Sequence, residues 1–383
     1  MLLWEAGVAM DAQHTQVLVV GAGIAGASVA AELAMLGADV VLLEREAQPG
    51  YHTTGRSAAL YTAAYGPPAI RALTRASGPA FRHSPGVHPL LRPRGAMFLA
   101  RTDQEVALGM LEAELRGAAR RIDAAAAMAR LPILRPGYLS AALIDDQAAD
   151  IDVDALHRMY LRRLVAAGGR FFASAEVQAL SREGGGWCAR IPQGFWHAEI
   201  VINAAGAWAD ELARQAGVAT VGLVPKRRTA LLVDVPAGRV ADAWPMAVDV
   251  EERFYLKPDA GKLLLSPADE TPSPPCDASP DEMDVAVCID RIQLAFDLPV
   301  RRVAHKWAGL RSFVADKCPV AGFAPDAPGF FWLAGQGGYG IQTAPALARL
   351  AAALALGRPV PSDIADEGVC AMALAPARAE LAA

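Results

Sequence analysis

Short apolar runs, each ending at a glycine, punctuate this chain. The first, residues 16–20 (QVLVV), is β-branched and uncharged, the pattern of a strand buried on both faces of a parallel sheet. Glycines follow at once. Residues 22–37 then read as an Ala-rich helix with Leu33 and Leu36 on one side, and 38–43 as a second apolar strand, which completes a β-α-β unit. Two more runs, 199–203 and 329–334, lead likewise into glycine-containing turns, the second followed by a long Ala-rich helix. Junctions so widely spaced predict one discontinuous nucleotide-binding domain. Between them the pattern changes. Residues 229–235 and 253–257 alternate, and prolines cluster around 272–280, which predicts an antiparallel sheet inserted into the first domain.

At 383 residues the chain exceeds the roughly 250–300 at which a single core stops growing, so two domains are expected. The net charge of −5 is dispersed, with no basic block to attract nucleic acid or an anionic membrane. The five cysteines are odd in number and lack CxxC spacing, as structural thiols of a reducing cytosol would; with the histidines equally scattered, no metal site is expected and a cytoplasmic location is. The first fifteen residues lack the basic start and apolar run of a signal peptide. The apolar stretch 345–356 contains Arg349 and is shorter than the about 20 residues of a bilayer span, so no transmembrane segment is expected.

Gly21-Ala22-Gly23-Ile24-Ala25-Gly26 follows a strand and opens a helix, and Glu44 stands at the end of the next strand. That context turns a weak GxGxxG pattern into a dinucleotide-binding fingerprint. Gly21 permits the tight turn, Gly23 lets the backbone approach a pyrophosphate, and Gly26 lets helix and strand pack closely. The helix start offers unpaired N–H groups to the phosphates, and Glu44 accepts hydrogen bonds from a ribose diol.

This fingerprint occurs together with Thr54-Gly55-Arg56-Ser57-Ala58-Ala59, Asn203-Ala204-Ala205-Gly206-Ala207-Trp208 and the run from Gly335 to Thr343 (GQGGYGIQT). The set resembles the FAD-dependent D-amino acid oxidase/dehydrogenase superfamily, which includes glycine and sarcosine oxidases. Within it, residues 44–51, 225–228, 254–261 and 307–316 resemble the bacterial D-arginine dehydrogenases. The resemblance implies an α/β fold in which a discontinuous, Rossmann-like FAD-binding domain (1–82, 146–218 and 302–383) carries an inserted α+β substrate domain (83–145 and 219–301) built on an antiparallel sheet. It implies that Gly21, Gly23, Gly26, Glu44 and Arg45 hold the ADP half of FAD, Ser57 and Ala58 the flavin side, and Gly337, Tyr339, Gly340, Ile341 and Gln342 the ribityl chain and ring. Ile24, Ala25, Thr54, Arg56, Ala59, Val177, Ala205, Gly206 and Trp208 complete the expected contacts. The implied reaction is oxidative deamination: hydride passes from Cα of a D-amino acid to flavin N5, and the imino acid hydrolyses to a 2-oxo acid.

Such a hydride leaves efficiently only when the substrate carboxylate is pinned, and an arginine fork does this with two hydrogen bonds. Arg311 sits in a small, apolar sequence setting and Arg228 in the run Lys226-Arg227-Arg228, which by itself reads equally as an exposed basic stretch. The resemblance places both on the substrate, with Tyr65 and Tyr255 lining the pocket and the Gly338 carbonyl receiving the amine. No general base stands out. Two positions depart from the D-arginine dehydrogenase pattern: Ala96 where an acidic residue meets the cationic side chain, and Leu60, close to Thr62, where a histidine faces the flavin. Both exchanges are polar to apolar, so neutral side chains are expected to be preferred over basic ones, the alternative being that Glu251, Glu252 or another carboxylate reaches the pocket from the strand bearing Tyr255 and restores the basic preference. The same clamp would serve a secondary amine such as sarcosine, a proline-like imino acid or a 2-hydroxy acid. A flavin-binding subunit dependent on a partner chain and an NAD enzyme are the further alternatives. The residues do not select between a quinone and oxygen as electron acceptor, and the resemblance to dehydrogenases favours a carrier other than oxygen. Some relatives bind FAD through a cysteine in the region of 307–312, which here holds none. FAD is therefore expected to be non-covalent, and acid precipitation should release all flavin into the supernatant; a yellow pellet would contradict this.

Overall fold

The computed structural model describes residues 13–83, 88–115 and 117–381. The N-terminal stretch read above as lacking a signal peptide lies, up to residue 12, outside them. The predicted apolar runs form the parallel centre of an eight-stranded sheet, in the order Phe330–Ala334, Gly194–Asn203, Gln13–Val20, Val40–Leu43 and Arg170–Phe172. Helices Ile24–Met35, Val153–Ala166 and Gly340–Ala355 pack into one core on one face, and Ala209–Gln215 into a second. Burial on both faces is why these strands carry no polar alternation: every residue of Val40–Leu43 is buried. The hairpin Ala179–Glu183/Gly186–Ile191 extends the sheet antiparallel to the first half of Gly194–Asn203.

Gly21, at φ +100°, and Gly26 take the turn and packing roles their spacing predicts. A Cβ on Gly26 would lie 1.8 Å from the Gly21 carbonyl oxygen, so only glycine lets the helix Ile24–Met35 approach the turn that precedes it.

The second sheet also has eight strands, ordered Val303–Phe313, Val224–Asp234, Lys262–Ser266, Tyr255–Asp259, Met246–Asp249, Ala96–Ala100, Ala141–Asp145 and Arg120–Asp123. Two features differ from the sequence expectation. Met246–Asp249 runs parallel to Ala96–Ala100, so the sheet is mixed where an antiparallel one was expected. The strand Val303–Phe313, assigned above to the nucleotide-binding side, pairs with Val224–Asp234 from Val224↔Phe313 to Val233↔Val303. It then continues into Val320–Phe323 of the first sheet, which is why its sequence neighbours suggested the other domain. A small third sheet consists of Leu60–Tyr61, Ala149–Ile151 and Leu91–Pro93, and Asp150 there binds Arg94, just before the strand Ala96–Ala100, at 2.7 Å and Lys257 of the second sheet at 2.9 Å. Among the described residues no helix is long and apolar enough to cross a membrane.

Gly26→Ala should force helix and turn apart. A loss of about 1–3 kcal/mol in denaturant melts, together with reduced flavin retention, is the expected result; a variant with unchanged stability and flavin content would refute the packing role.

Candidate active site

A cleft of about 710 Å³ runs across the carboxyl ends of the parallel strands, where Val20, Leu43, Ala204 and Gly335 reach its wall. In an open α/β sheet this edge is where strand ends and helix starts leave backbone groups free for a ligand. Gly21, Gly23, Ile24, Ala25, Glu44, Arg45, Thr54, Arg56, Ser57, Ala58, Val177, Ala205, Gly206, Trp208, Gly337, Gly340 and Ile341 all line it, so the predicted cofactor positions gather from the whole length of the chain. Gly26 and Tyr339 stand behind the wall, in packing roles. Ala59 and Gln342 face a smaller neighbouring cavity instead.

Several predicted contacts already have protein partners. The Ala22 N–H donates to Glu44 Oε2 at 2.8 Å, and the Ile24 N–H to Thr54 Oγ1 at 2.9 Å. The Arg45 guanidinium stacks 3.9 Å above the Trp208 ring, and His52 packs against the same ring. The Arg56 guanidinium donates to the carbonyls of Ala278 and Ala308 and pairs with Asp277; it fastens its loop to the second sheet while lining the cleft. Other polar atoms are buried without a partner: Ser312 Oγ, Gln336 Nε2 and Gln342 Nε2, the first two on residues of the cleft wall and the third on the smaller cavity. An unpaired buried polar atom is costly unless a ligand completes it. The helix Gly340–Ala355 also begins at the cleft with no side-chain cap, so its free N–H groups and dipole meet whatever occupies that end. A long polar, phosphate-bearing cofactor with a hydrogen-bonding ring fits these residues.

The smaller cavity, about 70 Å³, shares Ser57, Ala58, Arg228, Tyr255, Arg311 and Gly338 with the cleft, so the two adjoin. Leu60, Thr62, Tyr65 and Ala96 line it as well. The two arginines come from paired strands: Lys226 stands opposite Arg311 and Arg228 opposite Gly309, which sets Arg228 diagonal to Arg311 on one side of the sheet. Arg228 is 7% exposed, so the basic run is not a solvated one. Its Nε donates to the Asp269 carbonyl (2.9 Å) and its Nη2 to Glu270 (3.2 Å). Burial lowers its pKa, and the charge of Arg311 adds to the effect. Arg311 is different: among the described residues no hydrogen bond or ion pair holds its guanidinium. Burial alone would lower its pKa, but the Tyr255 and Tyr65 hydroxyls and the Glu252 carboxylate together raise it. Gly338 packs directly on it, since a Cβ there would fall 2.8 Å from Nη1. The arrangement leaves one committed cation beside one free cation, a receptor for an anion.

A profile of the family described as "FAD dependent oxidoreductase" (DAO) matches residues 16–354. The chain belongs to the DAO family of FAD dependent oxidoreductases. It is 28% identical to a glycine oxidase of Pseudomonas aeruginosa over 90% of this chain and 95% of that protein. Two solved structures share the fold: glycine oxidase from Geobacillus kaustophilus, at TM-score 0.79 and 22% identity over 91% of this chain and 96% of that one, and L-proline dehydrogenase from P. horikoshii, at 0.79 and 20% over 96% and 98%. The cleft of this DAO-family protein is accordingly the candidate site for its FAD.

Several site residues escaped the sequence reading. Ser312 and Gln336 lie inside the quoted motifs but carry no signal of their own. Phe98, Met246, Val248 and Ala268 reach the small cavity from elements whose register only the sheet reveals, and Glu252 reaches it as well. Glu252 accepts a hydrogen bond from Tyr65 Oη at 3.3 Å. Desolvation, with the Glu252 charge beside it, pushes the Tyr65 hydroxyl up to about 12, so it stays protonated. His157, from the helix Val153–Ala166, is buried and hydrogen-bonds through Nε2 to the Ala22 carbonyl at 2.8 Å, which holds the fingerprint loop.

Burial lowers the His157 pKa below its ordinary 6.5, so the folded protein keeps the ring neutral. Its contribution is present above about pH 6.5 and is lost as pH falls through the lowered value. His157→Phe leaves the Ala22 carbonyl unpaired and should cost about 1–3 kcal/mol at pH 7.5. Melts at pH 7.5 and 5 should show this gap shrinking in acid; a gap independent of pH would rule out the neutral-ring account.

Proposed function

We propose that this chain oxidises the amine of a small α-amino acid, D-configured and with a neutral side chain, to an imino acid that hydrolyses to a 2-oxo acid. The observation that carries the reading is Arg311: a cation on the wall of a small cavity, without an ion-pair partner among the described residues, beside Arg228 and under Gly338. A buried cation is tolerated when an anion completes it, and a carboxylate matches the guanidinium fork in shape and charge. Bound FAD supplies the hydride acceptor. The protein's own part is to hold the carboxylate at Arg311, close the cavity around Cα with Tyr65 and Tyr255, and offer the Gly338 carbonyl to the amine. Tyr65 remains protonated, so it shapes the cavity and donates to Glu252 instead of removing a proton. Glycine oxidase and L-proline dehydrogenase, named above as relatives, carry amino acids in their names, which supports this substrate class.

The D configuration is supported by the likeness of residues 225–228, 254–261 and 307–316 to the D-arginine dehydrogenases. The neutral preference is supported by the wall itself, where Ala96 joins Leu60, Phe98, Met246, Val248 and Ala268. Each methylene buried there contributes about 0.8 kcal/mol. Glu252 favours a second reading, because its carboxylate also reaches this cavity and would receive a cationic side chain. Its charge is engaged by the Tyr65 hydroxyl and acts on Arg311, which leaves the Ala96 wall uncharged and the neutral reading preferred.

Arg311→Met, folded and FAD-loaded, should lower kcat/KM by ~10² or more, since a charge-assisted hydrogen bond contributes about 1.5–3 kcal/mol and misalignment adds to the loss; wild-type kinetics would end the clamp assignment. With an artificial electron acceptor, kcat/KM for D-Met and D-Leu should exceed that for D-Arg and D-Lys by about tenfold or more. A tenfold advantage of the basic substrates, abolished by Glu252→Gln, would establish the second reading in its place.

A further inference from the structure

We infer that Glu183, Cys188 and His197 form a binding site for a borderline-soft divalent cation, Zn²⁺ being the best match. Their ligand atoms lie within 4.8 Å of one another. The antiparallel register produces the cluster: Cys188 stands opposite His197 across one strand pair and opposite Ser181 across the next. Gly184 and Gly185 both take positive φ, 58° and 86°, which makes the two-residue turn that brings Glu183 back beside the strand carrying Cys188. One sulfur, one imidazole nitrogen and one carboxylate oxygen are the donor set zinc selects, and a thiolate with a carboxylate neutralises its two charges.

Two neighbours support the arrangement. Ser181 Oγ donates to Glu183 Oε1 at 2.9 Å, which orients the carboxylate as an outer hydrogen bond does in metal sites. His14, opposite His197 in register, stacks on its ring at 5.2 Å with the planes 23° apart, and so restrains the imidazole. Glu183 is exposed and Cys188 is 7% exposed, so the cation would enter from the Glu183 side, the thiol proton would leave to solvent, and water would take the fourth position. None of the three ligands lines the FAD cleft or the small cavity. The bound ion is therefore a clip that ties the edge hairpin to the strand Gly194–Asn203, separate from the oxidation chemistry.

The test uses the FAD-loaded full chain, stripped with a chelator and dialysed against ZnCl₂. One zinc per chain should be retained, and the melting temperature should rise on zinc addition. Co²⁺ in its place should give tetrahedral bands at wavelengths longer than flavin absorption. Cys188→Ser, His197→Asn and Glu183→Gln should each weaken zinc binding about tenfold or more, while Cys276→Ser and Cys370→Ser, at exposed cysteines, leave it unchanged. Turnover should be unaffected in all five, which shows that each variant folds; should Cys188→Ser fail to fold, Glu183→Gln at its exposed position keeps the test. Absence of stoichiometric zinc, or binding that survives all three ligand substitutions or depends on Cys276 or Cys370, would overturn the site.

Discussion

A cation held in a small cavity without an ion-pair partner is unfavourable in isolation, and much of this structure serves to keep Arg311 in that condition. Its strand pairs along eleven residues with Val224–Asp234, so the backbone cannot swing the guanidinium out to solvent. Gly338 closes over it, and the hydroxyls of Tyr65 and Tyr255 with the carboxylate of Glu252 offset its desolvation without forming an ion pair. Arg228, by contrast, is tied to Asp269 and Glu270, and Glu270 also binds Lys226 at 2.9 Å. Burial alone would raise the Glu270 carboxyl, but Lys226 and Arg228 outweigh it and hold the pKa down, so that carboxylate is spent within the protein. The free charge is left to a ligand.

The same strand joins the two halves of the site. Thr53 Oγ1 donates to the Leu310 carbonyl at 2.7 Å, Trp307 Nε1 to the Arg56 carbonyl at 3.0 Å, and Arg56 to the Ala308 carbonyl at 3.0 Å. The loop that lines the cleft with Thr54, Ser57 and Ala58 is thereby fixed to the strand that carries Arg311. A displacement of either would move both, and hydride transfer is sensitive to shifts of about 1 Å. Ser57, Ala58 and Gly338 belong to both cavities for this reason.

Three elements converge at the Ala96 side of the small cavity. Ala96 begins its strand between Met246 on one side and Asp145 on the other. Asp145 accepts hydrogen bonds from Thr62 Oγ1 (2.6 Å) and the Gln147 N–H (2.8 Å), and it does not itself line the small cavity. The acid nearest the Ala96 wall is thus consumed in holding Thr62, and Glu252 is consumed by Tyr65. Two carboxylates stand close to the pocket, yet neither is free in the way Arg311 is.

The sequence by itself determined the β-α-β start, the fold class and the FAD cofactor, and it named most of the residues that the fold gathers around the cleft, because these depend on local backbone demands and on motifs that survive as contiguous words. It also singled out Arg311, Tyr65, Tyr255 and Ala96, which the fold brings to one cavity. What it left open was everything decided by register. Whether Arg228 was solvated depended on which face of a strand met Val303–Phe313, and the parallel pairing of Met246–Asp249 with Ala96–Ala100 had no local signature. His157 and Glu252 reach their partners across 135 and 187 positions, and a reading of spacing cannot see such contacts. The scattered Glu183, Cys188 and His197 looked unrelated for the same reason. Hydrogen bonding between strands converts distances along the chain into neighbours across a sheet, and that conversion belongs to the tertiary structure alone.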